Sequence, residues 1–115
     1  MIVDDNARTR SALAACLSGI GGLEVIGEAF DGQDAIDKLR TRTPDVVLMD
    51  CRMPRMTGLE ATRILKRVWP AIGVVILTVY PDFQLEARRA GADAVLMKGC
   101  SLEELLSAVR SAASD

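Results

Sequence analysis

Five short apolar runs punctuate the chain, and residues able to do chemistry follow four of them. Met1–Val3 leads into Asp4-Asp5, Val46–Met49 into Asp50, Val74–Leu77 into Thr78 and Ala94–Met97 into Lys98. The remaining run, Leu23–Ala29, offers only Glu28. Three carboxylates held together repel one another, which raises their pKa values unless a cation joins them. A set of few oxygen ligands with positions left for water suits Mg²⁺. A lysine adds a point positive charge and a threonine adds a hydroxyl donor. A divalent ion, a lysine and a hydroxyl around a carboxylate make a receptor for a phosphoryl group. The carboxylate can also be the nucleophile, as an acyl phosphate. Phosphoryl transfer asks mainly for charge neutralisation and in-line positioning. Each residue alone has a plainer reading. Asp5 or Asn6 can be a turn former, Asp50 a turn residue, Thr78 a strand residue and Lys98 a solvated edge. The recurrence after successive runs is what carries the chemical reading.

The elements that position these residues follow from periodicity. Runs rich in Val and Ile suit strands buried on both faces. Met1–Val3 is short for that role, as if a first strand were clipped. Between the runs lie helical stripes: Leu13, Leu17 and Ile20; Ala35, Ile36 and Leu39; Ala61, Ile64, Leu65 and Val68. Phe83, Ala87 and Ala90 make a weaker fourth stripe, and Leu102, Leu105, Leu106, Val109 and Ala113 a clear fifth. Thr57…Glu60 and Ser101…Glu104 read as capping boxes, and Asp31 as a helix cap. Gly21-Gly22, Thr43-Pro44, Trp69-Pro70 and Gly91 fall where helices stop. Five repeats of strand then helix imply an α/β fold, an open parallel sheet with helices on both faces. A closed eightfold barrel needs about twice this length. In open α/β sheets the ligand sits at the carboxyl ends of the strands, where the polar residues are.

Composition narrows the function. The chain has 115 residues, half of them apolar and 26% charged, which fits one globular domain. A net charge of −2 gives no footprint for nucleic acid or an anionic membrane. Aromatics make up 3%, too few for a base-stacking platform. There is no histidine, so His-based triads, metal sites and proton shuttles within the chain are excluded. Cys16, Cys51 and Cys100 are odd in number and form no CxxC, which suits small apolar residues in a reducing cytoplasm. No apolar run reaches the ~20 residues of a membrane span, and no secretory leader is evident at the start.

The sequence resembles a response-regulator receiver domain of two-component signalling over nearly its whole length. The matching pieces are Ile2-Val3-Asp4-Asp5, Val46-Val47-Leu48-Met49-Asp50, the loop Met53 to Glu60, Ile76-Leu77-Thr78 and Gly91 to Lys98. The resemblance implies a flavodoxin-like sheet in order 2-1-3-4-5 with five helices. It implies that Asp50 accepts a phosphoryl group from a phosphohistidine on a sensor histidine kinase. Asp5 would ligate Mg²⁺ directly, Asp4 through water, and Arg52 through its backbone carbonyl. Lys98 would pair with Asp50 or its phosphate, and Thr78 would swing in to a phosphate oxygen. Residues 1–115 would be one cytoplasmic receiver, a signalling domain with weak autophosphatase chemistry rather than a metabolic enzyme. Its output would be a helix-turn-helix effector outside these residues, with a phosphorylation-dependent homodimer as a further expected partner and no direct contact with nucleic acid or membrane.

Several residues depart from the family pattern. Val95 stands where an aromatic often relays the threonine's movement, and Gly99 where a cis proline is common. Arg52 either shields the phosphate or is a solvated loop residue, and Tyr80 either covers the site or faces solvent. Val79 should narrow access to the phosphate. Rival readings are a stand-alone adaptor or a docking module that works without phosphorylation. An aspartyl phosphatase would want a carboxylate where Arg52 stands. A nucleotide-binding domain would want GxGxxG or GxxxxGK[ST], and neither occurs.

Overall fold

Ile2–Val3 (β1), Glu28–Ala29 (β2), Val46–Asp50 (β3), Gly73–Thr78 (β4) and Ala94–Met97 (β5) form one sheet in the computed structural model, which describes residues 1–113. All neighbours run parallel, in the order β2-β1-β3-β4-β5. Five helices connect and cover them: Ala7–Ser18 (α1), Gly32–Leu39 (α2), Gly58–Val68 (α3), Gln84–Arg89 (α4) and Leu102–Ala113 (α5). This is the flavodoxin-like arrangement the sequence implies.

The sheet sorts its side chains with a period of two, as a pleat must. Val3, Val47, Met49, Val74, Ile76 and Val95 pack with residues of α2, α3 and α4. Ile2, Val46, Leu48, Val75 and Leu77 pack with Leu17 of α1 and Leu105, Val109 and Ala112 of α5. Burial on both faces explains why the central strands read as unbroken apolar runs rather than alternating ones. Asp31 caps α2 by accepting from the Asp34 amide. Thr57 and Glu60 complete a reciprocal capping box at α3.

Some expectations needed correction. The apolar run Leu23–Ala29 is a strand only at Glu28–Ala29, because β1 is too short to pair with the rest of it. Helix α1 stops at Ser18 with Gly19 as its cap, ahead of Gly21-Gly22, so Ile20 lies outside the helix and Leu17 is its one fully buried residue. The weak fourth stripe is split into a 3₁₀ turn, Pro81–Phe83, followed by the six-residue α4. At α5 the Ser101 hydroxyl accepts from the Glu104 amide, and the Glu104 carboxylate bonds back to that hydroxyl rather than to the Ser101 amide. Cys51 lies in the core as expected, but Cys16 is exposed on α1.

Candidate functional site

Because all five strands run parallel, their carboxyl ends share one edge, and the polar residues singled out from the sequence meet there. Asp4 follows β1, Asp50 ends β3, Thr78 ends β4 and Lys98 follows β5. The pleat sorts them further. Asp4, Asp50 and Lys98 have the parity of the strand residues facing α1 and α5, whereas Thr78 has the parity of those facing α2 to α4. Lys98 Nζ lies 3.1 Å from Asp50 Oδ1 and 3.3 Å from Asp4 Oδ2, bridging the two carboxylates. Asp4 and Asp50 are buried, whereas Asp5 is exposed at the rim. The carboxylate oxygens of Asp4, Asp5 and Asp50 lie within 4.8 Å of one another.

The electrostatics of this cluster are unbalanced. Desolvation raises the pKa of Asp50, and the charges of Asp4 and Asp5 push in the same direction while Lys98 opposes them. Lys98 is itself held above its ordinary value. Desolvation alone would depress it, but its bond to Asp50 and the charges of Asp50 and Asp4 outweigh that effect. One lysine thus faces three carboxylates. The residual negative charge and the convergent oxygens fit a small hard divalent cation of the Mg²⁺ type.

The surroundings of the site are built by two loops. Arg52 stacks on Tyr80, with its guanidinium carbon 4.3 Å from the ring centroid, and reaches Phe83 at 5.4 Å. Tyr80 meets Phe83 edge to face at 5.7 Å. Tyr80 is thus partly exposed beneath the Arg52 side chain. Val79, directly after Thr78, is 55% exposed. The Thr78 hydroxyl is buried and accepts from the Tyr80 amide at 3.0 Å. Val95 is part of the core on that side of the sheet, against which Trp69 and Phe83 also pack. The Lys98–Gly99 bond is trans, and Gly99 has φ +91°, a value that favours glycine.

The family model of the response regulator receiver domain matches residues 1–110. The chain belongs to the response regulator receiver family. It is 43% identical over 112 residues to the response regulator GacA of Pseudomonas aeruginosa, covering 96% of this chain and 52% of that protein. It is 42% identical over 113 residues to the response regulator UvrY of Escherichia coli K12, again covering 96% and 52%. The receiver thus spans about half the length of the curated relatives it matches. Among solved structures, a LuxR-family two-component response regulator from Aurantimonas sp. superposes with a TM-score of 0.93 at 32% identity, covering 99% of this chain and 83% of that one. The response regulator domain of CheB from Thermotoga maritima gives 0.89 at 30%, covering 99% and 94%.

One feature of this receiver escaped the sequence reading: a strap that fixes the loop carrying Arg52. Asp31 is buried, and its second carboxylate oxygen receives Arg55 Nε at 2.6 Å. Arg55 adopts φ +66°, unusual for a residue with a side chain, and its guanidinium also lies over Phe30 at 5.5 Å. Gly32 is the second half of the strap, since a Cβ there would press on the Met56 carbonyl at 2.8 Å. The bond from Arg55 holds the Asp31 carboxyl below its ordinary pKa of 3.8, against desolvation and with help from the Asp34 amide. Asp31→Asn keeps the cap and the shape but loses the ion pair. It should lower Tm by roughly 5 °C at pH 7. A group with a depressed pKa gives up its contribution as pH falls, so wild type and variant should converge below about pH 4. An equal Tm at pH 7 would show that the pair holds nothing. Asp31 and Arg55 lie 24 residues apart, and only the β-branched run before Asp50 and the cap at Asp31 hinted that their loops would meet.

Proposed function

We propose that the domain is a phosphorylation-controlled switch in which Asp50 is the phosphoryl acceptor. The observation that carries this reading is the placement of a buried carboxylate 3.1 Å from a lysine, with two further carboxylates converging on it. Asp4, Asp5, Asp50 and the backbone carbonyl of Arg52 would hold Mg²⁺, which when bound neutralises charge on the phosphoryl oxygens. Lys98 neutralises the acceptor and is positioned to stay with the phosphorylated carboxylate. The Thr78 hydroxyl, which now accepts from the Tyr80 amide, would donate its proton to a phosphate oxygen, and its movement toward that oxygen would draw on the loop after β4.

The donor in this reading is a phosphohistidine on a sensor histidine kinase, which the receiver would meet in the cytoplasm; the chain contains no histidine of its own. Residues 1–115 would act as the receiver alone. The response would pass to an effector domain, DNA-binding by analogy with the LuxR-family regulator from Staphylococcus aureus whose fold the receiver shares. Phosphorylation-dependent pairing of two receivers is part of the same reading. The domain itself turns over no metabolite, and its only chemistry would be acceptance and slow loss of the phosphoryl group.

Metal dependence tests the site. With a small acyl phosphate as donor, labelling should rise with Mg²⁺ concentration to saturation and fall to background in excess chelator. Asp5→Ala should shift that dependence to higher Mg²⁺ by at least about tenfold, the effect of losing one ligand. Equal labelling rates with and without chelator would refute the metal site.

A further inference from the structure

Glu28, the polar residue of the second apolar run, stands outside the carboxylate cluster but is joined to it through one side chain. It lies opposite Ile2 in the pairing of β1 with β2, and so shares the face of the sheet that α1 covers. From α1, Arg10 donates through Nε to the Glu28 carboxylate at 3.1 Å and through Nη1 to the Asp4 backbone carbonyl at 2.7 Å. The Arg10 side chain is only 19% exposed. Glu28 is held in turn, since Lys38 Nζ donates to its backbone carbonyl at 2.6 Å.

The carbonyl that Arg10 holds belongs to the peptide group joining Asp4 to Asp5, and the ladder of β1 with β2 ends just before it. Ile2 donates to the Gly27 carbonyl and Asp4 to that of Ala29, but among the described residues no backbone amide donates to the Asp4 carbonyl. Arg10 supplies the partner that one more rung of the sheet would have given. The Asp4 carboxylate has its own supports, the Asn6 amide at 2.8 Å and Lys98 at 3.3 Å. The Asp5 carboxylate is exposed and makes no hydrogen bond or ion pair among the described residues. Its direction is therefore set by the backbone on either side, the peptide group that Arg10 holds and the start of α1. A guanidinium suits this task, because its rigid fork can bind a carboxylate and a carbonyl at once.

We propose that Arg10 is a positioning residue for the metal site: by tying the Asp4–Asp5 peptide to Glu28 it holds the two neighbouring carboxylates in the arrangement a divalent cation needs. This role rests on the reading of Asp4, Asp5 and Asp50 as an Mg²⁺ site. The sign of the effect separates positioning from charge. A cationic side chain beside three carboxylates opposes a second cation through space, so on charge alone its removal should tighten Mg²⁺ binding. Loss of positioning acts the other way. Groups that orient a metal's ligands contribute about tenfold or more to affinity, which should outweigh a repulsion that solvent and salt screen.

Calorimetric titration of the metal-free chain with Mg²⁺ tests this. Arg10→Met keeps the aliphatic stem and should weaken binding about tenfold. Arg10→Lys keeps the charge and a donor for the carbonyl, and should recover most of that loss. Glu28→Gln should weaken binding less, and should add nothing in the Arg10→Met background, because Glu28 acts through Arg10. In the metal-free state Arg10→Met should also shift the Asp5 amide nitrogen resonance, since the carbonyl of the same peptide group has lost a hydrogen bond. Arg10→Met binding Mg²⁺ as tightly as the parent, or more tightly, would overturn the assignment. So would a Glu28→Gln loss that persists undiminished in the double variant. A parent chain that takes up no Mg²⁺ would remove the metal site itself and this role with it, whereas equal binding by parent and variant removes the role of Arg10 alone.

Discussion

Asp50→Ala should take up no phosphoryl group above background from an acyl phosphate donor under conditions that label the parent chain fully. The expectation follows from position. Asp4 and Asp50 are both buried beside Lys98, but Asp50 is the one that ends β3, the middle strand of the sheet, while Asp5 lies at the rim. Loss of labelling would not reflect loss of fold. Burial and the neighbouring charges already disfavour ionised Asp50, so removing it relieves repulsion while Lys98 keeps its contact with Asp4. The variant should therefore melt at or above the parental temperature in the absence of Mg²⁺. Asp50→Asn should behave in the same way, since an amide keeps the shape and removes the nucleophile. Full labelling of the Ala variant, read on a phosphate-affinity gel, would remove Asp50 from its assigned role.

Gly58→Ala should be the most damaging single methyl group in the domain. A Cβ at Gly58 would strike the Asp50 backbone carbonyl oxygen and come within 3.1 Å of the Cys51 Cα. The first turn of α3 is pinned against the end of β3 by two further bonds. The Gly58 amide donates to the Cys51 carbonyl at 2.9 Å, and the buried Thr62 hydroxyl donates to the Gly58 carbonyl at 2.7 Å. Alanine favours a helix over glycine by up to about 1 kcal/mol. A backbone collision that moves the helix from its strand costs about 3 kcal/mol or more. The collision wins, and Tm should fall by about 10 °C. Labelling at Asp50 should slow as well, because the atom displaced belongs to the acceptor's own backbone. Gly21→Ala is the control: nothing lies within 4 Å of a Cβ there. If the two variants melt alike, the close approach of α3 to β3 is not what holds this corner.

Much of this arrangement was legible in the residues. Val46–Asp50 and Gly73–Thr78 announced themselves as unbroken apolar runs because both faces of the central strands are covered. Thr57…Glu60 marked the start of α3 because capping is a local interaction, complete within four residues. The site was readable for a related reason: parallel strands bring all their carboxyl ends to one edge, so position along each run was enough to predict proximity. What the sequence hid was set by contacts between distant segments. Leu23 to Ile26 have the composition of a strand but lack a neighbour long enough to pair with. Arg52 carries a charge that suggested the phosphate, yet its guanidinium lies on Tyr80, a choice made by the folded loop after β4. The buried pair of Asp31 and Arg55 left no periodic trace, because one member is a helix cap and the other a loop residue at positive φ.

Phosphorylation-site mapping by mass spectrometry tests the central claim most directly. The chain is treated with a phosphohistidine donor and Mg²⁺, then digested after the acyl phosphate is trapped by borohydride reduction. A single modification on the peptide carrying Asp50, absent in chelator and lost on hydroxylamine treatment before trapping, is the predicted result. A modification that resists hydroxylamine, or one that maps to Asp4, Asp5 or a hydroxyl side chain instead of Asp50, would contradict it.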